Sequence, residues 1–278
     1  MVKISVVTPS YNQAGFLAET LQSIAEQTYE NYEHIVMDGG SDDGSVDILR
    51  QHADKLHYWC SEPDEGQSDA INKGVAHTTG EVIAWLNTDD VLFPRCLEAV
   101  AKRYEATKAD IITANVLWMD ADGIITRCVN VPGPSEFFFW RGIWHASAPC
   151  IFFTRQLFDA IGGLDTSFHL SMDVDMWFKM MAYHPHIEHI RQYLGGFRLH
   201  ETSKSMISHR QELPLGVNDE TAAVHTAHGI SKRKRDRWRT IYRVWRTLRL
   251  GYLRQQLDLR KFRNQQWQEV AKTLSESR

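Results

Sequence analysis

The 278-residue chain has few cysteines, no long apolar run and none of the common glycine-rich phosphate motifs. Its four cysteines lie far apart, without the spacing of a zinc site or of a C-x-x-C redox pair, which favours reduced packing residues. No stretch of about 18 residues is free of charged or turn residues, so the sequence predicts no membrane-spanning helix. The chain opens directly on a strand-like run without an apolar signal segment, so we expect a cytoplasmic protein.

Two nucleotide-binding motifs are missing as well. The sequence has no G-x-G-x-x-G after its first strand-like run, which argues against a dinucleotide-binding site. It also has no G-x-x-x-x-G-K-[ST], which argues against a P-loop NTPase. The first turn reads TPSYN instead, and its tyrosine ring and threonine hydroxyl are groups that could stack on and hydrogen-bond a nucleobase.

Charge is unevenly distributed, although the formal net charge is only −4. Residues 231–278 contain 15 Lys and Arg against 4 Asp and Glu, whereas residues 1–230 contain 16 basic and 31 acidic side chains. An acidic body with a basic C-terminal segment indicates two different roles. From residue 233 onward, apolar side chains recur at three- and four-residue steps, which predicts an amphipathic helix with a dense arginine face. Its apolar positions are Trp238, Ile241, Trp245, Leu248 and Tyr252.

The first third of the chain alternates short apolar runs with segments of helical periodicity. Strands are predicted at 4–8, 32–38, 56–60 and 81–87, and helices at 14–27, 45–53, 67–76 and 95–106. Such alternation is typical of βαβ units, and right-handed crossovers between them place helices on both faces of a parallel sheet. We therefore expect an α/β fold of three layers.

After residue 110 the pattern is less regular. We expect a hairpin from 110–118 and 124–130, helices at 155–161 and 174–183, and strands at 186–190 and 193–199. Residues 200–216 are polar and contain Pro214, which predicts a long loop of the kind that often closes over active sites.

Acidic residues follow three of the predicted strands. Asp38 ends the second strand, Glu62 and Asp64 follow the third, and Asp89 and Asp90 follow the fourth. Ligands of open parallel sheets bind outside the carboxyl ends of the strands, so crowded carboxylates there indicate a bound cation or the donor groups of a substrate. Turn formation, and helix capping by Asp90, are the structural alternatives.

Four blocks of the sequence, taken in order, resemble one family. They are ISVVTPSYNQAGFLAETLQSIAEQTYENYEHIVMDGGSDDGS, SEPDEGQSDAINKG, TGEVIAWLNTDD and GGLDTSFHLSMDVDMWFKM. Together they cover roughly residues 3–205 and resemble family 2 inverting glycosyltransferases with the GT-A fold, in particular bacterial enzymes of polysaccharide biosynthesis. The resemblance implies a Rossmann-like, mixed but mainly parallel sheet in residues 1–205. Residues 206–278 would then supply a lid loop and basic amphipathic C-terminal helices.

The resemblance also implies a donor-binding set. The base would be held near the first two strands, with Asp38 accepting from an imide N–H, and the ribose and sugar would lie near the third helix. The matching positions are Thr8, Pro9, Tyr11, Asp38, Asp69, Asn72, Thr88 and Asp89.

A divalent metal, Mn²⁺ or Mg²⁺, is the cofactor that the resemblance implies. Asp89 and Asp90 match the acidic metal-binding motif, with Asp90 expected to be the direct ligand, and His200 matches a histidine near the metal or diphosphate. Many relatives have Asp where this chain has Asn87, which weakens the outer acidic position. A purely structural role remains the alternative for His200. His184, His186 and His189 lack the spacing of a zinc site.

The general base is expected at Asp173. Its surroundings, MDVDMW, align with the family pattern E-D-x-D-x-W, although Met172 stands where Glu is usual. An aspartate at the start of an apolar helix would be partly desolvated, and its pKa would rise as a base near neutral pH requires. Simple helix capping is the alternative, and Asp175 is the second candidate base.

Two further surfaces carry open alternatives. The aromatic run 137–140, with Trp144 and His145 nearby, could be an acceptor platform, or it could be buried in the core or at a dimer interface. The basic segment 231–278 could pack on the body, or it could contact anionic lipid as a peripheral anchor on the inner face of the membrane. No nucleic-acid-binding module accompanies the charge.

The sequence therefore predicts a metal-dependent inverting glycosyltransferase. Its donor would be a UDP-, dTDP- or GDP-linked sugar, and its acceptor a saccharide or a lipid-linked hydroxyl. Two alternatives stay open at this point: a nucleotide-sugar-binding protein without transferase activity, and a nucleotidyltransferase.

Overall fold

The fold was analysed in a computed structural model that describes residues 1–130, 133, 135–143, 149–204, 206, 220–248 and 251–276. The strands are β1 (Ile4–Ser10), β2 (Tyr32–Asp38), β3 (Tyr58–Ser61), β4 (Val82–Trp85), β5 (Val91–Leu92), β6 (Ile111–Met119), β7 (Ile125–Val129), β8 (Ile151–Thr154) and β9 (Ile187–Arg198). The helices of the body are α1 (Ala14–Ala25), α2 (Ser45–Gln51), α3 (Gln67–Ala76), α4 (Cys96–Thr107), α5 (Glu136–Phe139), α6 (Arg155–Ala160) and α7 (Met172–Met181). Four more follow: α8 (Glu220–Ala227), α9 (Lys232–Leu248), α10 (Gly251–Phe262) and α11 (Trp267–Glu276).

The strands form one mixed sheet in the order β3-β2-β1-β4-β8-β6-β9-β5, with β7 paired to β6. The first four strands are parallel throughout. β8 lies antiparallel between β4 and β6, whereas β6 and β9 are parallel. The Rossmann-like half predicted from the sequence is thus continued by a second half with mixed strand directions.

Side chains of the central strands alternate between two cores, which is why helices cover both faces. In β1, Val6 points into a core with Leu97 of α4, while Val7 points into another core with Ile71 of α3. In β8, Phe152 and Phe153 divide between the same two cores. Burial on both faces explains why these strands are continuously apolar in sequence. The three-layer α/β prediction is confirmed.

Several element predictions need correction. β5 and β8 were not predicted, because two- and four-residue runs of apolar residues carry no clear period. The two strands expected at 186–190 and 193–199 are one strand, β9, whose register with β6 shifts near Asn115. The hairpin of β6 and β7 is present, with its turn at residues 120–123.

The C-terminal segment is helical and packs on the body. Trp238, Tyr242 and Trp245 of α9 contact the rings of Phe137 and Phe138. α11 contributes Trp267 and other side chains to a core shared with β5, β6 and β7. The side chains of Leu248 and Tyr252 lie outside the described part, as do residues 205 and 207–219 of the predicted lid loop. Among the helices that the structure describes, none combines the length and apolar character needed to cross a bilayer.

Candidate active site

Asp38 ends β2 at the edge where the parallel strands finish. Its carboxylate accepts from the Ser41 backbone N–H at 2.9 Å and the Ser41 hydroxyl at 2.6 Å, and from the Ser61 hydroxyl at 2.7 Å. The side chain is almost fully buried. A carboxylate offers about four acceptor sites, so one remains for an incoming donor such as an imide N–H.

The first turn supplies one exposed ring directly after Ser10, which pairs with Asp38 across β1 and β2. Tyr11 is 63% exposed and leaves a ring face open for stacking. Thr8 is fully buried, and its hydroxyl lies 3.0 Å from Nε2 of His34 on the neighbouring strand. Pro9 is also buried within β1, so Thr8 and Pro9 support the turn from beneath. Burial lowers the pKa of His34 to about 3, which keeps its imidazole neutral.

The two predicted sugar-side residues, on α3, both have protein partners. Asp69 forms an ion pair with Lys73, 2.9 Å from its Nζ, and this hydrogen bond lowers the pKa of Asp69. The Asn72 amide donates to the Leu164 carbonyl at 2.8 Å and accepts from the Leu164 N–H at 2.9 Å. Asn72 therefore fixes the loop before α7, and its contact with a sugar stays a prediction.

Asn87, the departure from the family's usual Asp, is a bridging residue. Its side-chain oxygen accepts from Gln67 Nε2 at 2.8 Å and from the Trp85 indole N–H at 2.7 Å. Its amide nitrogen lies 3.5 Å from Oδ2 of Asp90 and can donate to it. An aspartate could not donate there, so the neutral amide avoids a third negative charge beside Asp89 and Asp90.

Asp89 and His200 meet at the end of β4. Nε2 of His200 lies 3.0 Å from Oδ2 of Asp89, and Nδ1 of His200 lies 3.0 Å from the Thr202 hydroxyl. The Phe16 ring packs against the imidazole with ring centroids 4.5 Å apart. The chain thus brings together two predicted metal-site residues that are 111 positions apart in sequence.

The Asp90 carboxylate, in contrast to that of Asp89, contacts Arg198 rather than His200. It is completely buried, and its Oδ1 accepts from the backbone N–H of Arg198 at 3.0 Å. Burial, and then the negative charge of Asp89, raise the pKa of Asp90 well above its usual range. The geometry therefore favours Asp89 as the direct ligand, the reverse of the order expected from the sequence. The Thr88 backbone carbonyl, beside them, accepts from the Thr20 hydroxyl at 2.8 Å.

The chemistry of Asp89 and His200 fits a divalent cation. A carboxylate oxygen and an imidazole nitrogen are both ligands for Mn²⁺, and the hydrogen bond of the second ring nitrogen to Thr202 is the kind of contact that orients such a ligand. Within the residues that the structure describes, no three His, Cys, Asp or Glu side chains come close enough to hold a metal alone. The remaining ligands would come from substrate phosphates and water, as is usual for Mg²⁺ sites.

Asp173 lies in the first turn of α7 rather than before it. Its carboxylate accepts from the Val174 N–H at 2.8 Å, and burial raises its pKa. Asp175, the second candidate, is more deeply buried and lies 2.7 Å from the Lys179 ammonium. Asp175 is already engaged by Lys179, whereas the raised pKa of Asp173 suits a proton acceptor, so Asp173 is the better candidate.

Glu220, at the start of α8, holds the loop that leads to Asp173. Its carboxylate accepts from the backbone N–H groups of His169, Leu170 and Ser171 at 2.8–3.2 Å. The Ser171 and Thr221 hydroxyls are 2.5 Å apart in the same contact. This cap was missed from the sequence, because nothing local connects residues about 50 positions apart.

The other predicted groups fall outside the site. Phe139 is buried in the core against Phe178, whereas Phe138 and the exposed Phe137 pack on α9, so contacts within the protein account for much of the aromatic run. Trp144 and His145 lie outside the described residues. Each histidine of the 184–189 segment has its own partner, which for the three is Glu136, Glu188 and Thr113 respectively. The four cysteines are free, as expected.

Arg198, the last residue of β9, was also missed. Its guanidinium donates to the carbonyls of Asp89 and Ala121, both at 2.9 Å, and contacts the carboxylate of Glu19. A buried arginine of this kind could have been suspected only from the apolar strand in which it occurs.

Known proteins share both the sequence pattern and the fold. The family model for Glycosyl transferase family 2 matches residues 5–162. An uncharacterized glycosyltransferase of Rickettsia felis is 28% identical over 222 residues, which is 75% of this chain and 36% of that protein. An uncharacterized glycosyltransferase of Mycobacterium tuberculosis is 33% identical over 174 residues, which is 61% of this chain and 65% of that protein.

Two solved structures show the same fold. The crystal structure of S. aureus TarS 1-349 in complex with UDP-GlcNAc superposes with a TM-score of 0.62 at 17% identity, covering 72% of this chain and 60% of TarS. The mannosyltransferase PcManGT from Pyrobaculum calidifontis, in complex with GDP-Man and Mn²⁺, superposes with a TM-score of 0.57 at 21% identity. The match covers 75% of this chain and 60% of PcManGT. The chain thus spans between about a third and two thirds of these relatives. It belongs to glycosyl transferase family 2 and has the GT-A fold.

Proposed function

We propose that the chain is a metal-dependent inverting glycosyltransferase that moves a sugar from a nucleoside diphosphate to an acceptor hydroxyl. The observation that carries the proposal is the meeting of Asp89 and His200, 3.0 Å apart, at the strand edge that also holds Asp38 and Tyr11. TarS is solved with UDP-GlcNAc and PcManGT with GDP-Man and Mn²⁺, which supports a nucleotide-sugar donor for this chain.

The donor would lie across the carboxyl ends of the parallel strands. Tyr11 would stack on the base, and the free acceptor site of Asp38 would receive an N–H of the base. A divalent cation, when bound by Asp89 and His200, would neutralise negative charge on the diphosphate leaving group. Three further residues are candidates for the donor site, namely Asp69, Asn72 and Thr88. They would contact the donor either through their present protein partners or beside them.

Asp173 would act as the general base. Its raised pKa makes the carboxylate a better proton acceptor, and the first turn of α7 fixes its position. It would take the proton of the acceptor hydroxyl as the oxygen attacks the anomeric carbon. The sugar–phosphate bond breaks on the opposite face, so one displacement inverts the anomeric configuration without a covalent enzyme intermediate.

The acceptor is proposed to be a saccharide or a lipid-linked hydroxyl at a membrane surface, in polysaccharide biosynthesis. Helix α9 exposes Ile241 and Val244, which are 40% and 56% exposed, on a helix rich in arginine and lysine. Apolar side chains flanked by cations suit the interface of an anionic bilayer, which supports a peripheral position on its cytoplasmic face as part of the proposal. Replacing both residues with serine should reduce co-sedimentation with vesicles containing anionic lipid. Equal sedimentation of both proteins would remove this part of the proposal.

A thermal-shift screen of UDP-, dTDP- and GDP-linked sugars, each with and without Mn²⁺, tests the donor site. A ligand that binds the folded state raises its apparent melting temperature, and we expect one nucleotide class to do so only with the metal. Release of the nucleoside diphosphate from that donor, measured with and without acceptor, then tests transfer. If the donor binds but is neither transferred nor slowly hydrolysed, a binding protein would be favoured. Release of pyrophosphate would favour a nucleotidyltransferase.

A further inference from the structure

The C-terminal helix α11 connects to the Asp89–Asp90 loop through the partly exposed Glu19 and the buried Arg198. Glu19 of α1 accepts from the Trp267 indole N–H at 2.7 Å and from the Gln268 amide at 2.8 Å. The other oxygen of Glu19 contacts the guanidinium of Arg198. Arg198 in turn donates to the Asp89 carbonyl at 2.9 Å, and its backbone N–H donates to Asp90.

Arg198 is the buried member of this series of contacts. Its side chain is only 2% exposed, so its positive charge must be compensated by Glu19 and by the carbonyls that it contacts. Bonds between charged groups are stronger and more directional than neutral ones. The Phe16 ring, which packs on His200, also lies under the guanidinium at 5.1 Å. Arg198 therefore touches the surroundings of both Asp89 and His200.

We propose that Glu19 and Arg198 are positioning residues, and that α11 braces the Asp89–Asp90 loop through them. The arrangement joins the last helix, Trp267–Glu276, to α1 across more than 240 positions of sequence, and through Arg198 to the Asp89–Asp90 loop. The C-terminal segment then has a second role besides surface attraction. The link to donor affinity rests on the proposed function, whereas the physical brace does not.

Two substitutions weaken the brace. Glu19→Gln keeps the shape of the side chain but takes the charge away from Arg198. Trp267→Phe keeps an aromatic ring to stack on Phe93, now at 5.9 Å between centroids, but removes the N–H donor together with part of the ring system. Trp245→Phe is the matched control, because its ring packs on Phe138 in a different part of the C-terminal segment.

Hydrogen–deuterium exchange of the ligand-free proteins tests the brace directly. Exchange should become faster in residues 86–93 and 194–200 in both variants, and should match the parent protein in the control. Unchanged exchange in these two segments would overturn the proposal, whatever the loop binds. This outcome is independent of whether the chain is a glycosyltransferase.

Titration of Mn²⁺ at fixed UDP, followed by thermal shift, tests the functional consequence. We expect Glu19→Gln to raise the half-saturating Mn²⁺ concentration about tenfold, a typical result of losing one charge-assisted contact. Trp267→Phe should have a smaller effect, because Gln268 still donates to Glu19. Faster exchange with an unchanged titration would overturn the positioning role. A parent protein that binds no nucleotide with any metal would instead overturn the proposed function, and exchange alone would then decide the brace.

Discussion

The two halves of the sheet differ in the distance along the chain over which their strands pair. β1, β2, β3 and β4 pair in parallel within the first 85 residues, in regular register. In the other half, β6 pairs with β9 over about 75 positions and with two register shifts. The first half follows from local periodicity, whereas the second depends on pairing that no local pattern specifies.

The candidate site lies where these halves meet, and it takes different residues from each. The parallel half supplies Asp38 and Asp89, and the mixed half supplies Arg198 and His200. Asp173, the proposed base, lies on α7, and Glu220 holds the loop that precedes this helix. The acidic residues can therefore be found from the strand ends in the sequence, but the groups that orient them cannot.

The largest expected effect is on the base. Asp173→Asn should lower kcat by about a thousandfold, within the range for loss of a general base, and leave donor affinity unchanged. Asp175→Asn is the control and should cost far less, because Asp175 is paired with Lys179. Steady-state kinetics with the identified donor measure both. Equal losses in the two variants would place the base elsewhere.

We also expect Asp173→Asn to change the stability of the folded protein. Burial raises the folded-state pKa of Asp173 above 3.8, its ordinary value. The contribution of this group to stability is therefore full below its unfolded pKa and is lost as pH rises through its folded pKa. Asp173→Asn should raise the melting temperature at neutral pH but not at pH 3, and transferase activity of the parent should fall as pH drops through the raised pKa. A lower melting temperature at neutral pH would contradict this account.

The second effect separates the two neighbouring carboxylates. Asp89→Asn should weaken Mn²⁺-dependent nucleotide binding at least tenfold, because Asp89 faces His200. Asp90→Asn should alter the melting temperature more than the metal titration, since the amide oxygen can still accept from Arg198. Asp54→Asn, on the exposed surface, is the control. A larger loss of metal response in Asp90→Asn would restore the order expected from the sequence.

A smaller effect is expected where α8 holds the loop before Asp173. Glu220→Gln leaves only one good acceptor for three backbone N–H groups, so we expect kcat to fall about tenfold with little change in donor KM. Glu30→Gln removes an exposed charge of the same kind and should have no effect. If Glu220→Gln changes only the melting temperature, then Glu220 has a structural role alone.

The last effect, on stability rather than on catalysis, tests the family departure at Asn87. Asn87→Asp would replace a donor to Asp90 with a third carboxylate, so the metal-free protein should lose about 1–3 kcal/mol of stability. Added Mn²⁺ should recover part of this loss by compensating the charge. Chemical denaturation with and without Mn²⁺ measures it, with Asn31→Asp as the surface control. Equal stability of the metal-free proteins would show that the amide has no special role.

Much of the fold was predictable because βαβ units give the sequence a regular alternation of short apolar runs and segments of helical periodicity. Strand 32–38 and helix 67–76 were predicted with the bounds that the structure gives. β8 was not, because the four-residue run IFFT gives no sign that it inserts between β4 and β6. The same limit applies to the site: TDD marks the acidic loop, but which carboxylate turns outward is decided by the backbone of Arg198, 108 positions away.

The central claim is that Asp89 and His200 hold the cation that binds the donor diphosphate. Crystals soaked with Mn²⁺ and UDP, or with GDP or dTDP if the screen selects them, would test it through the anomalous signal of manganese. We predict one peak at about 2.0–2.2 Å from an Asp89 carboxylate oxygen and from His200 Nε2, with diphosphate oxygens completing the site. A bound nucleotide with the Asp89–His200 hydrogen bond intact, and manganese elsewhere or absent, would contradict the claim.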